Sequence, residues 1–238
     1  MDSLDAAQTR RSLLRNVLAI GAGAVVSGCA SRVTQTAGLA PIVPVPQATI
    51  VPQPVVPVPP APVKPTAPAG IRPELYQRAL AALEKHKSAI PHRDRIAIAD
   101  FSKPSSQARF YFVDLEKNTS RSLLVAHGIG SDPSHTGYLQ RFSNEIESNA
   151  TCEGAFLAAD YYVGKHNLSQ RLIGLDNTNY NALTRAIVVH SAWYANPEMI
   201  SAHGKLGRSQ GCFAVGEALL EDVFNHLGQG RMIYAAKV

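Results

Sequence analysis

Between Ala40 and Pro73 the chain reads Pro-Ile-Val-Pro-Val-Pro and then Val-Pro-Gln-Pro-Val-Val-Pro-Val-Pro-Pro-Ala-Pro. Each proline removes a backbone donor and holds φ near the polyproline II value, so this stretch joins neither a sheet nor a helix interior. It reads as a semi-rigid spacer of ~3.1 Å per residue, with a reach on the order of 100 Å. Folding is thereby left to residues 74–238, about 165 residues of mixed composition. That length supports one domain with a real core.

The segment before the spacer carries an address. Thr9-Arg10-Arg11-Ser12-Leu13-Leu14-Arg15 is basic, and Asn16 to Gly28 is uncharged. The uncharged run is too short to span a bilayer, which takes ~20 apolar residues. A charged start, a short apolar run and small residues at its end form a secretory signal over residues 1–28. Its paired arginines resemble a twin-arginine export signal, the alternative being the general export route. Val26-Ser27-Gly28-Cys29 resembles a bacterial lipobox. That resemblance implies a diacylated Cys29 at the mature N-terminus and residues 29–73 as a lipid-anchored linker. With Ala30 rather than aspartate next, it implies a periplasmic protein attached to the outer membrane.

The charge and cysteine content narrow the partners. The net charge is +5, and removing residues 1–28, with three arginines and two aspartates, leaves +4. A mildly basic protein tolerates an anionic wall polymer. Without a basic tract interleaved with aromatics, nucleic acid is not an expected partner. Beyond Cys29 only Cys152 and Cys212 remain. Neither has a second Cys or a His at ligand spacing, so no metal or other cofactor is expected.

Residues 74–238 read as a β-rich α+β domain. Behind Pro73 an apolar stripe of Leu75, Ala79, Leu80, Ala82 and Leu83 predicts a helix ending near Ser88. Strands are predicted at Arg95–Phe101, Arg109–Leu115, Ser122–Ala126, Gly154–Ala159, Ala186–His190 and Met232–Ala236. Turns fall at 103–106 and 116–118, and Gly216–Leu227 reads as a helix with Leu219, Leu220, Val223, Phe224 and Leu227 on one face.

Cys212 lies in Leu206-Gly207-Arg208-Ser209-Gln210-Gly211-Cys212-Phe213-Ala214. The glycines permit a sharp bend or a close approach to a ligand, and backbone N–H groups at Gly211 and Cys212 are candidate oxyanion donors. Arg208 and a helix starting near Gly216 are expected to favour the thiolate. A small, packed, inert cysteine is the competing reading. A thiol nucleophile needs a histidine within hydrogen-bond reach. Only His226 lies beyond Cys212, inside a predicted amphipathic helix, so the base is sought upstream. His190, at the tip of an apolar strand, is the first candidate, and His203, in a Gly-containing loop, is its rival.

A strand ending in His, about twenty residues, and then Ser-x-Gly-Cys resembles the murein L,D-transpeptidase catalytic domain family. The matching stretches are Arg185–His190 and Gly204–Cys212, with weaker support from Val125–Ser131, Phe142–Asn144 and Tyr162–His166. The resemblance implies a transferase without a cofactor, acting on peptidoglycan stem peptides. Cys212 would attack the carbonyl between the L-centre of diaminopimelate and the terminal D-alanine, release D-alanine and form a thioester. An amine of a second stem would then complete a 3→3 cross-link. His190 would move the protons, oriented by the backbone carbonyl of Ser191, with Gly211 and Cys212 supplying oxyanion donors. Ser209, Gln210 and Arg208 would meet substrate, with Tyr194 and His127 lining the groove. Two positions depart from the broader family, which often has His at 210 and Arg at 214, where this chain has Gln210 and Ala214. Two other functions remain in view: an L,D-carboxypeptidase using water as acceptor, and a non-catalytic lipoprotein tethering membrane to peptidoglycan.

Overall fold

The computed structural model describes residues 65–238; the export segment, Cys29 and most of the proline-rich stretch lie outside them. The chain forms α1 (Pro73–Lys85), β1 (Arg95–Asp100), β2 (Phe110–Asp114), β3 (Thr119–Leu123), β4 (Gly154–Gly164), β5 (Asn167–Gly174), β6 (Val188–Ser191), α2 (Glu198–His203), β7 (Phe213–Val215), α3 (Leu220–Leu227) and β8 (Met232–Ala236). The β-rich α+β class is the observed one. All eight strands join one mixed sheet in the order β3-β2-β1-β8-β4-β5-β6-β7. Pairings β1·β8 and β6·β7 are parallel and the rest antiparallel.

Both faces of the sheet are covered, which is why β1 reads as a continuous apolar run rather than an alternating one. On one face Ile96, Ile98, Tyr111, Val113 and Met232 receive Leu75, Ala79 and Leu83 of α1. On the other, Phe101, Phe110, Phe156 and Phe213 form an aromatic cluster with Val223 and Leu227 of α3. Ring centroids of Phe213 lie 5.5 Å from Phe156, 6.1 Å from Phe101 and 6.2 Å from Phe110. Such pairs are each worth ~0.5–1.5 kcal/mol beyond area burial. They seat β7, and hence the residue before it, firmly on the sheet.

Folded structure begins before residue 74. Ile71 is buried beside α1, and Arg72 ion-pairs with Asp100 at 2.6 Å while donating to the Val238 carbonyl. The last residues of the expected spacer therefore pack on the domain.

Two strands escape the sequence pattern, β5 and β7; β3 lies three residues before the stretch expected at Ser122–Ala126, and β4 runs five residues past its expected end at Ala159. The cause in β4 is a bulge. Pairing passes from Ala158↔Leu172 to Tyr161↔Gln170, so one extra β4 residue is accommodated. Gln170 fills it, donating to the Ala159 carbonyl at 3.1 Å. The extra residue reverses the facing of the rest of the strand. Tyr161 packs against Phe224 of α3 with ring centroids 4.9 Å apart, and Tyr162, paired with Ser169, turns to the opposite face. Alternation across the bulge is thus broken in the sequence although the strand continues.

Candidate active site

Strands β6 and β7 set the site. Their parallel register pairs Val189 with Phe213 and His190 with Ala214. Side chains alternate along each strand, so Val189, Phe213 and Val215 enter the aromatic core, while Val188, His190, Cys212 and Ala214 face the other way. His190 and Cys212 are then diagonal neighbours on one face of adjacent strands, within reach of a long side chain. Both line one cavity of about 360 Å³. Tyr162, Lys165 and His166 reach it from the β4–β5 hairpin, and Tyr194, Arg208, Ser209 and Gln210 from the excursion between β6 and β7. Arg185, Ala186 and Val188 complete the lining, which contains no carboxylate.

The histidine is held in one orientation. His190 Nδ1 lies 2.8 Å from the Ser191 carbonyl. A carbonyl only accepts, so Nδ1 carries the proton and Nε2 is left as an acceptor. The His166 ring stacks on it, with centroids 4.1 Å apart and planes at 21°. Burial pushes His190 down to about 4, opposed by the Ser191 carbonyl and helped by His166. At neutral pH it is an uncharged ring, suited to accepting a proton.

The thiol is likewise uncharged at rest. Burial raises the Cys212 pKa, while an N–H of Val188 and the Arg185 guanidinium act the other way. The thiol stands 3.6 Å from the Ala186 carbonyl. Ala186 adopts φ 52, a left-handed conformation that costs a non-glycine residue roughly 1–3 kcal/mol and tends to occur at functional sites.

The loop before the thiol closes on Ser209, whose hydroxyl donates to the Cys212 carbonyl at 2.7 Å and accepts from Gly211 N–H at 3.2 Å. Gly211 N–H is therefore committed within the loop, and of the two expected oxyanion donors the Cys212 N–H remains. Gly211 has φ +113, and a Cβ there would lie 2.7 Å from the Ala150 carbonyl. Gly207 permits a close approach of another kind, since a Cβ there would lie 2.6 Å from that of Tyr194. Ser209 N–H donates to the His127 carbonyl at 2.9 Å, and Ile129 N–H to the Ser209 carbonyl at 2.8 Å, so the loop is stitched to a neighbouring segment.

Residues 68–236 match the model of the L,D-transpeptidase catalytic domain. The chain belongs to that family. Solved structures similar to it include an L,D-transpeptidase from Mycobacterium smegmatis (14% identity, TM-score 0.38, covering 60% of this chain and 58% of that one). L,D-transpeptidase 3 from Mycobacterium tuberculosis, in complex with a faropenem-derived adduct, gives 13% identity, a TM-score of 0.39 and 60% coverage of each chain. An L,D-transpeptidase from Xylanimonas cellulosilytica gives 15%, 0.37, 66% and 68%. The chain thus spans about three fifths of the length of the mycobacterial proteins. No curated protein matches it.

Within this L,D-transpeptidase domain several expectations need correction. His127 does not line the groove. It is buried behind the loop, its Nδ1 2.7 Å from Arg109 Nη2, and burial with the adjacent Arg109 pushes it down to about 3. Its Nε2 stands 3.5 Å from Asp132 Oδ2 without a hydrogen bond. Here it is a neutral structural ring supporting wholly buried Arg109, which also donates to the Val125 and Lys103 carbonyls. The helix expected to act on the thiolate is not adjacent to it, because β7 intervenes and the helical turn begins only at Glu217. Nor is Arg208 the cation that opposes burial at the thiol: it lines the cavity but donates to the carbonyls of Asp132 and Pro133. Arg185 takes that place.

His203 is exposed at the end of α2 rather than in a loop, and it does not line the cavity. The excursion between β6 and β7 is structured. It folds into a 3-10 turn and α2, and Ala195 and Leu206 pack on Ala126 and Ala214. Tyr194 and Gln210 do line the cavity, and burial beside Cys212 drives Tyr194 up to about 12, which keeps its hydroxyl protonated. Cys152 is buried and free, with Arg185 Nη1 2.8 Å from its sulfur. Among the described residues no cluster of His, Cys, Asp or Glu is arranged for a metal. The residues that sequence reasoning did not assign to the site are Tyr162, Lys165, His166, Arg185, Ala186 and Val188. The only signal was that all six lie in stretches carrying the family resemblance.

Proposed function

We propose that the domain is a cysteine peptidyltransferase that forms 3→3 peptidoglycan cross-links. One observation carries this reading: a buried thiol and a neutral, oriented histidine share a cavity lined by three cationic side chains and no carboxylate. His190 Nε2 takes the Cys212 proton as the sulfur attacks the carbonyl before the terminal D-alanine. The oxyanion is met by Cys212 N–H, with the protonated Tyr194 hydroxyl at the same cavity. Imidazolium then protonates the leaving amine, D-alanine departs and a thioester remains. Lys165, Arg185 and Arg208 give the cavity a positive field that suits the terminal carboxylate of the stem.

Incubating the mature protein with purified tetrapeptide muropeptides and weighing the products tests this. Loss of D-alanine with formation of a 3→3 dimer is the expected result. Conversion to tripeptide alone would assign an L,D-carboxypeptidase, and unchanged masses would favour a non-catalytic tether.

We also propose that the domain is lipid-anchored through Cys29 in the periplasm, at the outer membrane, with the proline-rich stretch as its spacer. The support is the lipobox-like Val26–Cys29 at the end of the uncharged run. Mass spectrometry of the membrane-extracted protein should find a diacylated N-terminal cysteine; an unmodified mature N-terminus elsewhere would sink the anchor.

A further inference from the structure

A single hydrogen bond fixes one point of an imidazole and leaves the ring able to tilt about it. His190 Nδ1 is tied to the Ser191 carbonyl at 2.8 Å, and the second constraint on that ring comes from the β4–β5 hairpin. The two strands pair down to Gly164↔Asn167, so Lys165 and His166 alone form the turn. Ser169, just beyond it in β5, pairs with His190 of β6. This register brings the turn over the base, where the His166 ring lies on His190 with centroids 4.1 Å apart and planes at 21°. The hairpin is itself braced. Ser169 donates its hydroxyl to the Asn167 carbonyl at 3.2 Å, and Asn167 takes left-handed backbone at φ 60. The Arg171 guanidinium, ion-paired with Asp160, lies 4.0 Å from the centroid of the Tyr162 ring.

We infer that His166 is a positioning residue for the base: its ring, laid on one face of His190, keeps Nε2 turned into the cavity that holds Cys212. This rests on the proposed transpeptidase reading of that cavity. The hydrogen bond sets the direction of the His190 ring and the stack sets its plane, so packing and bonding together lock one geometry. The stack also keeps water off one face. Burial is the main cause that holds His190 down at about 4, and His166 adds to it. Burial and the adjacent Lys165 lower His166 as well, so both rings are neutral at pH 7 and do not repel. The other titratable groups at the cavity are Tyr162, Lys165, Arg185, Tyr194, Arg208 and Cys212. None is a carboxylate that could orient the base, which leaves that work to a backbone carbonyl and a stacked ring.

The test measures D-alanine release from a tetrapeptide muropeptide by the full mature chain and, separately, titrates the His190 ring by NMR. His166→Ala should lower kcat on the order of 10- to 100-fold, the loss expected of a misplaced catalytic group, with KM within about twofold. Water then reaches the uncovered face, so the His190 titration and the acid limb of kcat/KM should both move from near 4 toward 6.5. His166→Phe restores a flat ring without nitrogens, and should return kcat to within about threefold of wild type and the limb to near 4. His166 is half-buried at a hairpin turn, so circular dichroism should show both variants folded. Three results overturn the positioning role alone. One is an unmoved kcat and titration in His166→Ala. Another is a raised KM with kcat unchanged, which makes His166 a substrate contact. The third is a His166→Phe variant that folds yet has lost as much activity as His166→Ala, which assigns the effect to a ring nitrogen. No D-alanine release from wild type overturns the transpeptidase reading and the inference with it.

Discussion

Cys212→Ala is expected to reduce D-alanine release on the order of 10³-fold or more, because removing a nucleophile leaves only residual catalysis by binding and the oxyanion donors. The domain should remain folded. The Cys212 sulfur is buried, but its contacts are the Ala186 carbonyl and an N–H of Val188 rather than the aromatic core. Its loss should cost ~1 kcal/mol, a shift of a few degrees in Tm. Cys152→Ala is the control. Its thiol is fully buried, its pKa raised by burial despite Arg185, and it does not line the cavity. That variant should keep most activity. Measured rates in which Cys152→Ala is dead and Cys212→Ala is active would reverse the assignment.

His190→Gln should lower kcat by about 10²–10⁴-fold, the range for loss of a general base, while preserving a polar side chain at the position. The pH profile adds a readout that a merely structural role would not move. Burial holds the wild-type imidazole down at about 4, so the ring stays neutral well below pH 6.5 and the acid limb of kcat/KM should fall near pH 4. A limb near 6.5, the ordinary imidazole value, would exclude buried His190 as the base. Stability moves in the same window. His190, His127 and His226 all have folded-state values pushed below 6.5, to about 4, 3 and 4. The unfolded chain therefore takes up protons first as pH falls. Their stabilisation is present above pH 6.5 and is lost as pH drops through 4 toward 3, so rates must be read where circular dichroism shows the domain folded.

Much of this arrangement was legible in the residues. The stripe of α1 and the run Met232–Ala236 come directly from local apolar pattern, and α3 needed only its first turn reassigned as 3-10. Placing a histidine at a strand tip and a cysteine behind a glycine also needed no coordinates, because each is a local statement about chain direction and backbone freedom.

What the sequence determined by itself was the set of elements long enough to show a period, the likeness of Arg185–His190 and Gly204–Cys212 to one family, and the chemistry those side chains offer. Only tertiary structure decided which of them meet. The β4 bulge sends Tyr162 to the cavity face, β7 is too short at three residues to show any period, and His166 stacks on His190 across the β5·β6 pairing. His127 sits beside a glycine in a resembling stretch, yet buried Arg109 claims its ring. Arg185, from just before β6, supplies the charge that Arg208 and a helix end were expected to supply. Facing, burial and long-range pairing depend on residues far apart in the chain, so a local pattern leaves them open and packing closes them.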